Sequence, residues 1–478
     1  MMTAVNATIF RKYDIRGTAV EPNPQLTPAL ARLVGQALGT YLPRQFGTER
    51  VFVGMDNRLT SPPLQSALID GLLSTGMNVT EIGPVITPTV YFASASYKGK
   101  AAGVQITGSH LTTQYNGIKM AYGPLALADT QIQDLLGLIQ NDDFAVGAGQ
   151  LERDHDMMAR HFKTIAGMVK LDRKMKVVVD AGNGVIGPSI KGLLESVGCE
   201  VIGLYLESDG TYPNHLPNPE DPTTTHDLEA LVISSGADLG LAFDGDSDRC
   251  GFIDEKGHHI AADRLLAVLA IDTLKKYPGA TIIYDVKTTQ VLPDIIRAHG
   301  GVPLMWKTGH SLMKAKMHEV NAPIGGEVSG HLFVKGDYYG FDDAPLVALK
   351  SLQIFSQSNK TVSEIFGELP TMLATPEIIL SAPDDLKFKI IDDITAGLQK
   401  DYDVFTLDGA RATFEHGWGL VRASNTQPAI TLRFEAGTPA DLVTYMGRFK
   451  ALLDHFPQVD QGPLLAQIEA FSKGEAGH

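Results

Sequence analysis

Residues 176–188 read Lys-Val-Val-Val-Asp-Ala-Gly-Asn-Gly-Val-Ile-Gly-Pro. A short β-branched run passes into a glycine-rich turn and then a proline, a residue that suits the first turn of a helix. The pattern is that of a short buried strand feeding a helix. The same unit starts twice more. Val51-Phe52-Val53-Gly54 leads into Pro62-Pro63-Leu64 and a helical pattern through Ala67, Leu68, Leu72 and Leu73. Thr281-Ile282-Ile283-Tyr284 leads through a polar turn to Val291-Leu292 and Ile295-Ile296. Three such starts predict three similar α/β domains. The last stretch differs: Ala429-Ile430-Thr431-Leu432-Arg433-Phe434 reads as a strand, with helical patterns on both sides. That predicts a fourth, α+β domain. Weakly patterned segments at 144–149, 254–257 and 370–376 place the boundaries, giving domains over 1–150, 151–256, 257–369 and 370–478. The tail Lys473-Gly474-Glu475-Ala476-Gly477-His478 is expected to be disordered.

The bulk numbers agree. A chain of 478 residues is too long for one core, because domains usually run about 100–150 residues. No apolar run approaches the roughly 20 residues that a bilayer demands. Met1-Met2-Thr3-Ala4-Val5-Asn6 has no basic region followed by an apolar stretch, so no secretory signal is read there. Two cysteines, Cys199 and Cys250, cannot make a disulfide framework, and the expected compartment is the reducing cytoplasm. A net charge of −15 argues against nucleic acid and anionic membranes as partners.

Five segments carry chemistry. In Gln105-Ile106-Thr107-Gly108-Ser109-His110 a strand ends in a Gly-Ser turn, which predicts a serine hydroxyl exposed at the strand's edge. His110 and Lys119 stand near enough in sequence to activate it. In Phe243-Asp244-Gly245-Asp246-Ser247-Asp248-Arg249 three carboxylates alternate. In extended chain, positions i, i+2 and i+4 face one side, and three converging oxygens suit a hard cation. Magnesium fits better than calcium. Glu255 falls where a helix–loop–helix calcium site wants its last ligand, but Arg249 occupies the glycine position and both flanks read as strands. Gly325-Gly326-Glu327-Val328-Ser329-Gly330-His331 offers groups that hydrogen-bond sugar hydroxyls. Arg422-Ala423-Ser424-Asn425-Thr426 suits a phosphate cradle. Phe10-Arg11-Lys12-Tyr13-Asp14-Ile15-Arg16-Gly17 puts three cations within six residues of an acidic chain. With Lys119, Arg249, Lys287, Lys307 and Arg422, these would build a basic cleft if the loops converge. Read singly, each segment is also compatible with an ordinary turn or a solvated face.

Gly182-Asn183-Gly184-Val185-Ile186-Gly187 matches the dinucleotide fingerprint G-x-G-x-x-G, and Glu207 lies about twenty residues on. A dehydrogenase is therefore a rival reading. It leaves the aspartates, the serine loop and the phosphate cradle unexplained, whereas glycine turns help any strand and helix to pack.

Taken together, the segments resemble the α-D-phosphohexomutase family, in its bacterial phosphomannomutase/phosphoglucomutase branch. The resemblance runs in order along the chain, through FRKYDIRG (10–17), TGSH with YNGIKM (107–120), DAGNGVIG (180–187) and YPNHLPNP (212–219). It continues through FDGDSDR (243–249), DVKTT (285–289), KTGHSLMK (307–314), GEVSGH (326–331), YYGFDDA (338–344) and GWGLVRASNTQP (417–428). It implies four domains around a central cleft, and a Ser109 that is phosphorylated in the active form. It also implies Mg²⁺ held by Asp244, Asp246, Asp248 and phospho-Ser109. Catalytic roles would fall to Ser109, His110, Lys119 (as general base or acid), Arg16 and Arg249. Tyr13, Lys287, Thr308, Gly309, His310, Glu327, Ser329 and His331 would bind the sugar phosphate. Arg422, Ser424, Asn425 and Thr426 would hold the phosphate that is not reacting. Interconversion of hexose 1- and 6-phosphates of mannose or glucose is implied, with a hexose 1,6-bisphosphate as intermediate and activator. A monomer or weak homodimer is expected.

One departure stands out. The family's serine loop continues Ser-His-Asn-Pro, whereas here it reads Ser109-His110-Leu111-Thr112-Thr113. Loss of a conformationally restricted proline and a hydrogen-bonding asparagine predicts a looser or differently shaped loop. A homologue that binds sugar phosphate with impaired turnover is the alternative this raises. A metal-dependent phosphatase is a further rival.

Overall fold

The computed structural model describes residues 5–424 and 428–474. The chain forms two compact units, one of Met1–Tyr277 with Gly309–Phe366 and the other of Pro278–Thr308 with Gly367–His478. No described helix is long and apolar enough to cross a membrane.

The first unit holds two mixed sheets built on one plan. In one, the parallel strands Arg50–Met55, Asn78–Pro84 and Ala101–Ile106 form the centre. Tyr115–Tyr122 runs back antiparallel against Ala101–Ile106, and Ile15–Thr18 closes that edge. Leu151–Arg153 forms the other edge, beyond the weakly patterned 144–149. The centre is buried on both faces, so Ala101–Ile106 shows no alternation at all. Helix Pro28–Phe46 starts where the Thr27 hydroxyl accepts from the Leu30 N–H, and ends at Gly47 in the left-handed region. Its buried face, Leu30, Val34, Leu38 and Leu42, joins Leu64, Leu68 and Leu72 of helix Ser61–Leu73 in one core. The second sheet repeats the order: Lys176–Asp180 between Glu200–Leu204 and Leu239–Phe243, all parallel, with Cys250–Asp254 antiparallel and His259–Ile260 at the edge. The unit also holds the antiparallel hairpin Ile324–Gly326 and Leu332–Val334.

The second unit contains the parallel pair Thr281–Asp285 and Val302–Trp306. It also contains an antiparallel sheet of Leu373–Ala374, Ile378–Ser381, Val404–Phe405, Ala410–Phe414, Gly417–Ala423 and Ala429–Ala436. Helices Lys387–Leu398, Pro439–Leu453 and Gly462–Lys473 cover it, burying Ile390, Ile394, Leu442, Met446, Phe449 and Leu464. Lys473 and Gly474 close the last helix rather than joining a disordered tail; residues 475–478 lie outside the described ones.

This plan sets where chemistry can sit. Parallel neighbours deliver their following loops side by side at their carboxyl ends. Met55 pairs with Ile106, so the turn after 55 meets the serine loop. Asp180 pairs with Ala242, so the glycine-rich turn meets the aspartate loop. In the second unit Asp285 pairs with Trp306, which brings Lys287 and Thr308 to one end.

Candidate active site

Ser109 lies three residues past the end of its strand, and its backbone is left-handed at φ 49°. The hydroxyl is buried, not exposed at the edge as the sequence suggested, because it turns inward and donates to Asp244 Oδ2 at 2.9 Å. His110 Nδ1 stands 3.3 Å from Ser109 Oγ. Burial, reinforced by Arg249 and Arg16, pushes the His110 imidazole far below its ordinary value and keeps it neutral.

The three aspartates converge, but by a different route from the alternation argued above. The segment is a turn: Ser247 N–H donates to the Asp244 carbonyl at 3.0 Å, and Ser247 is itself left-handed at φ 56°. Curling, not extension, puts ligand atoms of Asp244, Asp246 and Asp248 within 4.8 Å of one another. All three residues are fully buried. Asp246 Oδ1 and Asp248 Oδ1 have no hydrogen-bond partner among the described residues, which fits a site made for a cation. The Lys119 ammonium donates to Asp246 Oδ2 at 2.7 Å and to Asp248 Oδ2 at 2.5 Å. Burial opposes its charge, but these carboxylates outweigh burial and hold the lysine well above its usual value. Burial and the neighbouring Asp248 and Asp246 push the Asp244 carboxyl up to about 8. Burial works on Asp248 too, yet Lys119, His331 and Arg249 hold it below the carboxylate range. Arg249 reaches Asp244 Oδ2 at 3.1 Å and Glu220 at 2.7 Å. Glu255 is no part of this site; it accepts from the Ser363 N–H at 3.0 Å and from its hydroxyl.

The other predicted groups of the first unit follow on. His331 Nδ1 lies 3.0 Å from Asp342 Oδ2 and 3.9 Å from Asp248 Oδ1. His310 stacks on His331 with ring centroids 5.3 Å apart, and Tyr13 lies 6.0 Å from His310. Glu327 accepts from Gly309 N–H at 2.5 Å and from Ser329 Oγ at 3.1 Å. Arg16 is paired with Asp14 at 2.6 Å, and its charge is felt at His110.

In the second unit, Asp408 ties two predicted residues together. It accepts from the Thr308 N–H at 3.0 Å and lies 3.3 Å from Arg422 Nη2. Lys287 is 3.7 Å from Glu377. Ser424 is described, whereas Asn425 and Thr426 lie outside the described residues.

The dinucleotide reading fails on packing. A Cβ at Gly187 would meet the Leu206 carbonyl at 2.1 Å, and one at Gly182 would meet Pro217 at 2.9 Å. These glycines let the 205–217 loop close onto the turn. Sequence reasoning missed Asp56, Arg58, Thr87, Asp342 and Asp408. For Asp56 and Arg58 there was a signal: charges directly after a buried strand. Thr87, which donates to Asp246 Oδ2 at 2.5 Å, offered none.

Models of the phosphoglucomutase/phosphomannomutase α/β/α domains I, II and III match residues 7–146, 159–257 and 261–373, and that of the C-terminal domain matches 382–449. The chain belongs to the α-D-phosphohexomutase family. It has that family's four-domain α/β architecture, and it is a hexose-phosphate mutase of carbohydrate metabolism. It is 44% identical over 455 residues to a phosphomannomutase/phosphoglucomutase of Pseudomonas putida, covering 94% of this chain and 96% of that one. It is 39% identical over 462 residues to a phosphoglucomutase of Neisseria meningitidis serogroup A, covering 96% and 99%. A crystal structure of a phosphoglucomutase/phosphomannomutase family protein from Burkholderia thailandensis superimposes with a TM-score of 0.88 at 39% identity, covering 94% and 98%. The buried carboxylates of this mutase fit a divalent metal, and nothing favours the impaired homologue.

Proposed function

We propose that this mutase moves a phosphoryl group between the 1- and 6-positions of glucose or mannose by way of phospho-Ser109. The observation that carries the reading is the buried Ser109 hydroxyl, 2.9 Å from a carboxylate of the aspartate cluster. Phospho-Ser109 gives its phosphoryl group to the free hydroxyl of a hexose phosphate: the bond from phosphorus to Ser109 Oγ breaks as the bond to the sugar oxygen forms, and the sugar hydroxyl's proton ends on Ser109 Oγ. The hexose 1,6-bisphosphate turns round, its other phosphate returns to Ser109, and the isomer leaves.

Asp244, Asp246 and Asp248 would hold Mg²⁺ together with a phosphoserine oxygen, and the ion would neutralise charge on the group in transfer. Lys119 as an ammonium, with Arg249 and Arg16, supplies further positive charge. Its ammonium donates to Asp246 and Asp248, and the lysine serves as general base or acid for the hydroxyl in transfer. Neutral His110 hydrogen-bonds the serine oxygen. Glu327, Ser329, His310, His331 and Tyr13 read sugar hydroxyls. Lys287, Thr308 and Gly309 also bind the substrate, and Arg422 and Ser424 hold the phosphate that is not reacting, with Asn425 and Thr426 added from the motif. On this reading Ser109 belongs to domain I, the aspartates to domain II, the sugar-reading loop to domain III and the phosphate cradle to domain IV.

The test is a coupled assay on glucose 1-phosphate and mannose 1-phosphate, with Mg²⁺ and a trace of hexose 1,6-bisphosphate. Turnover should collapse in Ser109→Ala, and chelation should abolish it until Mg²⁺ is returned. Undiminished turnover in Ser109→Ala would sink the phosphoserine cycle. The two substrate rates rank the sugars.

A further inference from the structure

Arg58 is fully buried. It follows the strand whose carboxyl end lies beside the serine loop, and its guanidinium gathers that loop's carbonyl groups. Nη1 donates to the Thr112 carbonyl at 2.7 Å and to the Tyr115 carbonyl at 3.1 Å. Nη2 donates to the Ser109 carbonyl at 2.9 Å and to the Leu111 carbonyl at 2.5 Å. Nε faces Asp56 Oδ2 at 3.2 Å. Asp56 in turn accepts from the Gly108 N–H at 3.0 Å, so the buried pair grips the loop on both sides of Ser109. The approach is close: a Cβ at Gly108 would lie 2.4 Å from Arg58 Nε. The outer face of the guanidinium rests on the Tyr212 ring at 5.2 Å.

Two facts find one cause here. Ser109 sits at φ 49°, a conformation that L side chains avoid unless their surroundings enforce it. The loop also lacks the family's asparagine and proline, yet it keeps a defined shape, because backbone carbonyls and not side chains of 111–113 carry the fixation. A planar fork with parallel donors can span four carbonyls; a lysine ammonium cannot.

We propose that Arg58 is a positioning residue for phosphoryl transfer, holding the loop so that Ser109 Oγ is aimed at the aspartate cluster. The proposal rests on the reading of Ser109 as the phosphoryl carrier. Arg58→Lys keeps a charge for Asp56 and loses the fork. In the full-length enzyme it should lower kcat about 100-fold, the scale of a small misplacement of a reacting group. KM for the hexose phosphate should stay within about threefold, since Arg58 is not placed against the sugar. Phosphate retained on Ser109 after incubation with hexose 1,6-bisphosphate, read by intact mass, should fall in parallel. Gly108→Ala, whose Cβ would crowd both the guanidinium and the Tyr115 carbonyl that it holds, without removing a charge, should show the same split. Thr112→Ala with Thr113→Ala should stay within about twofold of wild type, because both side chains are exposed and Arg58 takes only the Thr112 carbonyl.

A folded Arg58→Lys with near-normal kcat, or one that only melts earlier, overturns the proposal provided Ser109→Ala is inactive. If Arg58→Lys does not fold, a normal kcat in Gly108→Ala overturns it instead. Full turnover in Ser109→Ala overturns the underlying reading as well.

Discussion

Two loops of this molecule are held by the same device under different electrostatic terms. The loop of Ser109 wraps the Arg58 guanidinium, whose charge is matched by buried Asp56 at 3.2 Å. The loop of Lys287 is held by Arg411, whose Nη1 donates to the Val286 carbonyl at 2.6 Å and to the Thr288 carbonyl at 2.9 Å. Those carbonyls flank Lys287 on either side. Arg411 lies over the Trp418 ring at 3.9 Å, and Trp418 gives its own N–H to Glu435 at 3.0 Å. Arg411 Nη2 has no hydrogen-bond partner among the described residues, and burial lowers the Arg411 pKa to about 10. Both guanidiniums lie over an aromatic ring and each leaves one nitrogen without a hydrogen-bond partner among the described residues, but Arg58 is paired directly with a carboxylate, whereas Arg411 feels Glu435 and Asp285 only weakly enough that burial still wins. The first therefore tolerates loss of a partner badly, and the second more easily.

The largest effect should separate what the loops do. Ser109→Ala should cost about 10³-fold or more in kcat, while Lys287→Ala should mainly raise KM; steady-state kinetics on both variants decides. Equal loss of kcat would erase the distinction between a reacting loop and a holding one. Next, Asp56→Ala leaves Arg58 buried without its carboxylate, which should cost about 3–5 kcal/mol in urea unfolding. Arg411→Met removes a buried cation whose charge burial already disfavours and leaves two carbonyls without their donor, so it should cost less, about 1–3 kcal/mol. Its KM should rise about tenfold with kcat nearly unchanged, because only the setting of Lys287 shifts. If the two variants cost the same stability, compensation is not the difference.

The smallest effect tests a third loop. Asp180, at the start of the glycine-rich turn, is bound by His215 Nε2 at 2.9 Å, a titratable clamp where the others use arginine. Burial opposes the imidazolium, but Asp180 outweighs it and raises the His215 pKa above 6.5. A raised histidine stabilises the fold fully below its unfolded value, about 6.5, and loses that contribution as pH climbs through the higher folded value. The melting-temperature gap between wild type and His215→Ala should thus be wider at pH 6 than at pH 9. The gap for Arg411→Met should not narrow in that way.

The same comparison explains what the sequence made legible. Strand runs at 51, 176 and 281, and the aspartates of 244–248, announce themselves through local composition. Their three-dimensional setting does not. The aspartate turn closes through a left-handed Ser247, which alternation could not reveal, and Ser109 points inward because Asp244 lies across from it, 135 residues away. The arginine ties use backbone carbonyls as partners, and a carbonyl leaves no mark on residue identity. Arg411 is separated from the loop that it holds by more than a hundred residues. Asp408 joins Thr308 to Arg422 in the same unmarked way.

Because the serine loop is shaped by its main chain, its tip offers a place for chemistry of the experimenter's choosing. The Thr113 side chain is exposed while the flanking carbonyls are pinned. Both native thiols, Cys199 and Cys250, are buried, and burial raises them, Cys199 to about 12. A maleimide dye offered to Thr113→Cys would therefore find one reactive sulfur, on a rigid mount a few residues from the phosphoryl carrier.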